Sequence, residues 1–457
     1  MEKFYKIAQT ILILLVVLVT ISYFAYPLVG ADSGYYLASA REFYGGKSYF
    51  IDIATAYNPL AIIAVGLPYL FSDAPDSRFS LLLNFLIIGL SAFYLFKILR
   101  TISIDKRTIV FFTLYFVVVS LLLDGSQIML EPLSVCFQLM AFYYYLSHKS
   151  SSNYFYLVVV GLVTALSFLS KQYGLFILMP IGIDVLLSKQ GIVKKILFIG
   201  LGFALPLLLF IVYLGHYGAT FSESILYMLG KGVKFEKGNG TGINFTFITY
   251  SLGFLFFIAC NLYLLFIPGL LLQLKSNRKL FGSIYLWTLP FSFLVLLAAS
   301  YAHYFQYVTP YLIIAFVYLL ANTDVQRNKI KYAYVLSIFI MSGLSIYSAT
   351  KKSSKFALQE ETKNTLLTAI PAHSKVYLDG VSPAFYSVCD FQSLNLNTFG
   401  FCFPGYFSSQ TIVASMSKGS FIVVSKEAYK SYAAITSDFE KKEIKVEHVL
   451  YYILKKV

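Results

Sequence analysis

Charge is scarce in this sequence. Asp, Glu, Lys and Arg make up 13% of its 457 residues, against roughly 25% in an ordinary soluble chain. Apolar residues reach 58% and mean hydropathy is +0.71. That balance excludes a soluble multi-domain enzyme, and the apolar excess excludes intrinsic disorder. Acids are scarcer than bases, 22 against 36, which leaves a net charge of +14. The bases come in short packets between long apolar runs, not on one segment, and this excludes a nucleic-acid-binding face. Cysteine is limited to Cys136, Cys260, Cys389 and Cys402, none with metal-site spacing. Internal repeats, heptads and low-complexity tracts are lacking. The first apolar run has no small-residue cleavage signature, so residues 7–26 read as a retained span.

What is present is a series of apolar runs near the roughly 20 residues that a bilayer requires. Eleven spans are expected, at 7–26, 79–97, 108–123, 132–147, 154–170, 174–188, 196–214, 245–272, 281–300, 304–321 and 332–349. The run 59–71 is too short and is bracketed by Asn58-Pro59 and Asp73-Ala74-Pro75-Asp76, which suits an interfacial or re-entrant helix. Loop charge supports leaving it out of the count. With the N-terminus cytoplasmic, the cytoplasmic segments hold sixteen bases and three acids, as the positive-inside rule requires. Counting 59–71 as a span would flip every later loop and break the rule. The remaining residues, 350–457, carry 22 charges and mix strand-like runs (375–378, 421–424, 449–454) with helix-like ones (383–388, 426–432). They read as a small extracytoplasmic α/β domain, following a transmembrane domain over 1–349. Cys136 and Cys260 read as small hydrophobes inside spans; Cys389 and Cys402, outside, are open to a disulfide.

Polar residues that abut the spans fall mostly on the outer face. The first outer loop carries Asp32-Ser33-Gly34-Tyr35-Tyr36, then an amphipathic stretch, Tyr35–Tyr44, stopped by Gly45-Gly46. Later outer loops bring Glu131-Pro132, Ser170-Lys171-Gln172-Tyr173, the lysines 231, 234 and 237, and His303-Tyr304. A carboxylate here can act as a general base toward a hydroxyl, and a lysine can bind a phosphate. Each residue also has a plainer reading. Asp32 is then a solvated helix-end residue, Glu131 a helix-dipole partner, Lys171 a snorkelling lysine, and His303 an interfacial anchor. Asp184, near an inner helix end, reads as a packing residue.

The order of these motifs resembles the polyprenyl-phosphate-sugar-dependent glycosyltransferases of the GT-C fold. The nearest branch looks like protein mannosyltransferases, lipid A aminoarabinose transferases and related bacterial envelope enzymes. The residues that carry the resemblance are 32–47 with Tyr57-Asn58-Pro59-Leu60, then Glu131-Pro132-Leu133, Leu169–Gly174 and His303–Pro310. It implies about eleven transmembrane helices, juxtamembrane helices in the first outer loop, and an outer C-terminal domain. It further implies a multi-pass protein of the plasma (inner) membrane. Asp32 maps onto the family's catalytic base; the second acid of many members is Ser33 here, and their His-Pro-Pro is Tyr57-Asn58-Pro59. The implied reaction is inverting transfer of a sugar from a lipid-linked sugar phosphate to a hydroxyl of an envelope lipid, glycan or protein. Asp32 would take the proton, Lys171 would stabilise the leaving phosphate, and Glu131 would position hydroxyls. Asn58, Gln172, Tyr173, His303 and Tyr304 would complete substrate binding. No cofactor, metal or nucleic acid is implied. The alternative is a transporter or flippase of a lipid-linked glycan, which would favour repeats and polar groups at mid-membrane.

Overall fold

Long apolar runs cannot leave backbone amides unsatisfied in lipid, so they fold as helices. The computed structural model describes residues 2–53, 55, 57–102, 104–125, 127–229, 254–255, 257–274, 282–298, 302–323, 327–394, 408–447 and 449–457. In chain order the helices up to the C-terminal region are α1 (Glu2–Ala25), α2 (Ala31–Tyr44), α3 (Pro59–Val65), α4 (Ser77–Leu99), α5 (Lys106–Ser120), α6 (Glu131–Ser151), α7 (Phe155–Ser170), α8 (Leu178–Leu187), α9 (Ile192–His216), α10 (Phe221–Met228), α11 (Ile267–Leu274), α12 (Ile284–Ala298), α13 (Phe305–Ala321) and α14 (Arg327–Leu367). Among the described residues, five helical stretches are long and apolar enough to cross a membrane, and five shorter apolar ones accompany them. The more polar α6, of 21 residues, joins these. Each of the eleven expected spans coincides with one of them, although the first part of 245–272 lies outside the described residues, as do Lys231, Lys234 and Lys237. The protein is a multi-pass membrane protein.

Three boundaries differ from the sequence expectation. The run 59–71 is not one helix but α3, seven residues long, and a 3-10 turn at Leu67–Leu70, parted at Gly66. It lies beside α2, and seven helical residues, about 10 Å, are too few to cross a bilayer. Helix α2 starts at Ala31, four residues earlier than its amphipathic pattern. Asp32 therefore sits in a first helical turn, where the helix dipole favours a carboxylate. The last span does not stop at 349. Helix α14 runs for 41 residues straight through that point. Hydropathy falls there, but 350–367 contains no Gly or Pro, and its Lys, Ala, Leu, Gln and Glu favour helix.

The membrane bundle buries a continuous apolar core, with Phe112, Tyr115, Tyr263, Phe316 and Tyr334 in mutual ring contact. Helices α7 and α9 approach through glycine. A methyl group built on Gly161 would lie 1.9 Å from the Ile199 carbonyl oxygen, and one on Gly202 1.9 Å from that of Val158. Small residues let helix backbones meet this closely in lipid. Gly161→Leu is expected to force α9 away, lowering the thermal midpoint of the detergent-solubilised protein and opening its α7–α9 face to protease.

The C-terminal region forms one five-stranded sheet in the order β2-β1-β3-β5-β4, comprising β1 (Lys375–Asp379), β2 (Gln392–Ser393), β3 (Phe421–Ser425), β4 (Phe439–Val446) and β5 (Val449–Lys456). β1 pairs in parallel with β2 and β3, while β3–β5 and β5–β4 are antiparallel. The short helix α15 (Ala384–Val388) docks against α2, and one apolar cluster unites Tyr35, Leu37 and Ala38 of α2 with Phe385, Tyr386 and Val423. Gly34 makes the approach possible, because an added Cβ would stand 2.3 Å from Ala384 Cα. Arg41 adds a polar lock, pairing with Asp390 at 2.8 Å and donating to the Phe391 carbonyl. Gly34→Ala is expected to cost about 1–3 kcal/mol through overpacking. It should loosen the sheet from α2, read as faster proteolysis at 371–394. Cys389 is buried and has no disulfide among the described residues; its candidate partner, Cys402, lies outside them.

Candidate active site

Four chain segments end at the same place. Helix α2 presents Asp32 in its first turn. Helix α6 begins with Glu131, followed by Pro132 at a position where its missing N–H costs nothing. Helix α7 ends at Ser170, and Lys171 leaves it in extended conformation (φ −159°, ψ 139°). A 3-10 turn, Ala302–Tyr304, brings His303 to the start of α13. Serine contacts fix this frame: Ser33 Oγ donates to the Ile128 carbonyl at 3.1 Å, and Ser167 Oγ donates to the Ser134 carbonyl at 2.7 Å. The first contact ties α2 to the chain before α6, and the second ties α6 to α7.

Glu131 is wholly buried, and its Oε1 forms an ion pair with Lys171 Nζ. His303 Nε2 stands 3.6 Å from the same oxygen. Glu131 Oε2 has no hydrogen-bond partner among the described residues. Lys171 is 2% exposed and capped by aromatic rings, with Tyr304 at 4.7 Å and Tyr57 at 5.4 Å from Nζ. It is thus committed to Glu131 and sealed from bulk solvent, so a phosphate could not reach it without displacement of that pair. Asp32, by contrast, keeps an open face to solvent. Withdrawal of much of its surround from water pushes its pKa above the ordinary carboxylate range; His303 opposes the rise, Glu131 adds to it, and Lys171 opposes it. The same interactions mark Asp32, Glu131, Lys171 and His303 as one electrostatic unit.

The other expected binding residues are placed unequally. Tyr173 packs edge-on to Tyr304, with ring centroids 5.3 Å apart. Its carbonyl accepts from Gln138 Nε2 at 3.1 Å, and Gln138 Oε1 in turn accepts from the Tyr311 hydroxyl at 3.2 Å. Gln172 opens the 3-10 turn after Lys171 and is partly exposed. Asn58 is fully buried and donates to the Phe168 carbonyl, which ties the start of α3 to the end of α7. Sequence reasoning missed Tyr36, whose ring meets that of Tyr57 at 5.7 Å. It also missed the Gly34 and Arg41 contacts that hold α2 in place. Tyr36 stands four positions after Asp32, on the same helix face, and that spacing was the available signal. Asp184 takes the packing role expected of it, accepting from the Tyr145 hydroxyl at 2.6 Å and pairing with Lys149 at 2.9 Å.

Glu131 Oε1 is taken by an ammonium group, and no group of three or more His, Cys, Asp or Glu among the described residues could hold an ion. No protein-family model and no curated protein matches the sequence. Solved structures do match in fold. ArnT from Cupriavidus metallidurans aligns in its apo state at a TM-score of 0.64 and 12% identity, covering 97% of both chains. The same protein bound to undecaprenyl phosphate aligns at 0.63 and 12% identity, covering 98% of this chain and 97% of that one. The Archaeoglobus fulgidus oligosaccharyltransferase, in complex with Zn and sulfate, aligns at 0.55 and 13% identity over 97% of this chain and 72% of its own. Helical bundle and C-terminal sheet together give this chain the fold of ArnT and of the oligosaccharyltransferase.

Proposed function

We propose that the protein is an inverting glycosyltransferase that moves a sugar from a polyprenyl-phosphate donor to a hydroxyl of an envelope lipid, glycan or protein. The observation that carries this reading is the pairing of an open carboxylate, Asp32, with a buried, ion-paired carboxylate, Glu131, at one end of a helix bundle. Asp32 takes the proton of the acceptor hydroxyl as its oxygen attacks the anomeric carbon. The bond from that carbon to the phosphate oxygen breaks, and the polyprenyl phosphate leaves with the electron pair. Lys171 holds Glu131 rigid, so that the free Oε2 accepts from a sugar or acceptor hydroxyl. His303, which is less buried than Lys171, is the reachable partner for the developing phosphate charge. Tyr57 and Tyr304 stand over Lys171, and Tyr173 packs against Tyr304. Undecaprenyl phosphate bound to ArnT supports a lipid-borne donor here.

The same reading makes residues 1–349 the catalytic membrane domain and 350–457 an extracytoplasmic domain, in the inner membrane with the N-terminus cytoplasmic. The test supplies membranes containing wild type or Asp32→Asn with a panel of isotopically labelled polyprenyl-phosphate sugars, pentoses and hexoses. Label is expected in one envelope product with wild type only. Equal transfer by both would remove Asp32 as base, and no transfer from any donor would remove the reaction.

A further inference from the structure

A polar cavity lies far from Asp32. It has a volume of about 460 Å³ and is lined by Tyr145, His148 and Lys149 of α6, Asp184 of α8, Ser188 and Lys195. Glu131 and His148 lie 17 positions apart on α6, which is roughly 26 Å at 1.5 Å per residue. That is close to the thickness of a hydrocarbon core, about 30 Å. The cavity therefore opens at the opposite membrane interface from the candidate active site.

Its charge is unbalanced. Asp184 is the single acid in the lining and is already engaged, by the Tyr145 hydroxyl at 2.6 Å and by Lys149 Nζ at 2.9 and 3.1 Å. Lys195 Nζ contacts a neutral group, Ser188 Oγ, at 2.9 Å. Lys194 Nζ stands over the Tyr154 ring at 4.3 Å, at the edge of the same cavity. The rim is apolar. Phe155, Leu187, Val193 and Ile196 are 65%, 60%, 82% and 54% exposed. Only 11% of the span α9, which starts here, is buried inside the protein. A positive recess beside a bare apolar helix suits an amphiphile with an anionic head.

We propose that this cavity binds the phosphate of an anionic phospholipid, with Lys149 and Lys195 on the headgroup and the acyl chains along α9. Basic recesses between helices at an interface are of the kind that captures such headgroups. Inorganic phosphate shares the headgroup chemistry but makes no use of the apolar rim, so lipid and free anion can be separated.

The full-length protein is reconstituted in vesicles of phosphatidylglycerol and phosphatidylcholine, released, and examined by native mass spectrometry for retained lipid. Wild type is expected to retain phosphatidylglycerol over phosphatidylcholine. Lys195→Gln, which disturbs no ion pair among the described residues, should weaken retention several-fold, and Lys149→Gln with Lys195→Gln roughly tenfold or more. Lys6→Gln with Lys106→Gln, on bases outside the cavity, should leave it unchanged. Equal loss in that control would mean diffuse attraction and overturn the site. So would equal retention of the two lipids, or wild-type retention by the double variant. Displacement of the lipid by millimolar sodium phosphate would assign the cavity to free anion and overturn the lipid reading.

Discussion

Asp32→Asn is expected to lower turnover by roughly 10²–10⁴-fold, the usual worth of a positioned general base. That loss corresponds to about 3–5 kcal/mol of barrier. The structural cost should be far smaller. Asp32 is solvent-open, in the first turn of α2, where losing a carboxylate forfeits about 0.3–1 kcal/mol of helix-dipole interaction. Activity and stability should therefore separate: an inactive enzyme with a nearly native melting temperature. The pH profile supplies a second reading. Asp32 must be ionised to act, so kcat/KM falls as pH drops through its pKa, which lies above the ordinary carboxylate range. His303 lowers that pKa, and His303→Gln should move the acid limb to higher pH. Glu131 raises it, and Glu131→Gln should move the limb to lower pH, whatever either change does to the maximal rate. Shifts in the opposite directions would separate Asp32 from the acid limb.

Lys171→Met should be the most destabilising single change in the site. Removing one member of a buried ion pair leaves the other charged and unsolvated, at a cost of about 3–5 kcal/mol. Glu131 would be left wholly buried, with Oε2 already unpartnered and His303, 3.6 Å from Oε1, facing it in place of the ammonium. The double variant Glu131→Gln, Lys171→Met should recover most of the loss, because no buried charge remains and the methionine still fills the space between Tyr57 and Tyr304. Transfer activity should not recover with it. Thermal melts and labelled-sugar transfer on the four members of this cycle give both readings. Additive losses of stability would mean that the two residues do not act as a pair.

Much of this arrangement is legible in the sequence, for identifiable reasons. Runs of lipid-facing residues announce helices, and the positive packets between them order the chain. Glu131, Lys171 and His303 stand out because an ionisable residue at a helix end in an apolar chain is rare. The strands β1, β3 and β5 are legible because apolar residues dominate them. β4 is not, because charge fills Glu440-Lys441-Lys442-Glu443 and leaves no apolar run. It is an edge strand, and charge is how exposed edges avoid pairing with other chains. The outer part of α14 is hidden for a related reason, since hydropathy reports the membrane and not the helix. Contacts across the fold leave the weakest trace. Gly34 and Ala384 lie 350 positions apart, and nothing near either one names the other.

Helix α14 has one more consequence. At 1.5 Å per residue its 41 residues reach about 60 Å, twice the roughly 30 Å of a hydrocarbon core. About half of its length therefore exceeds what a hydrocarbon core can hold, and that excess forms a mast about 30 Å long. Near its outer end Gln359 grips Val29 from both sides, accepting from its N–H at 3.2 Å and donating to its carbonyl at 2.8 Å. Val29 is three residues before Asp32. Helices answer a change in bilayer thickness by tilting, and a tilt of about 10° would swing the top of a 30 Å mast by ~5 Å. Asp32 is thus moored to a helix longer than a bilayer core is thick, and under the proposed function the thickness of the membrane becomes a variable of the chemistry.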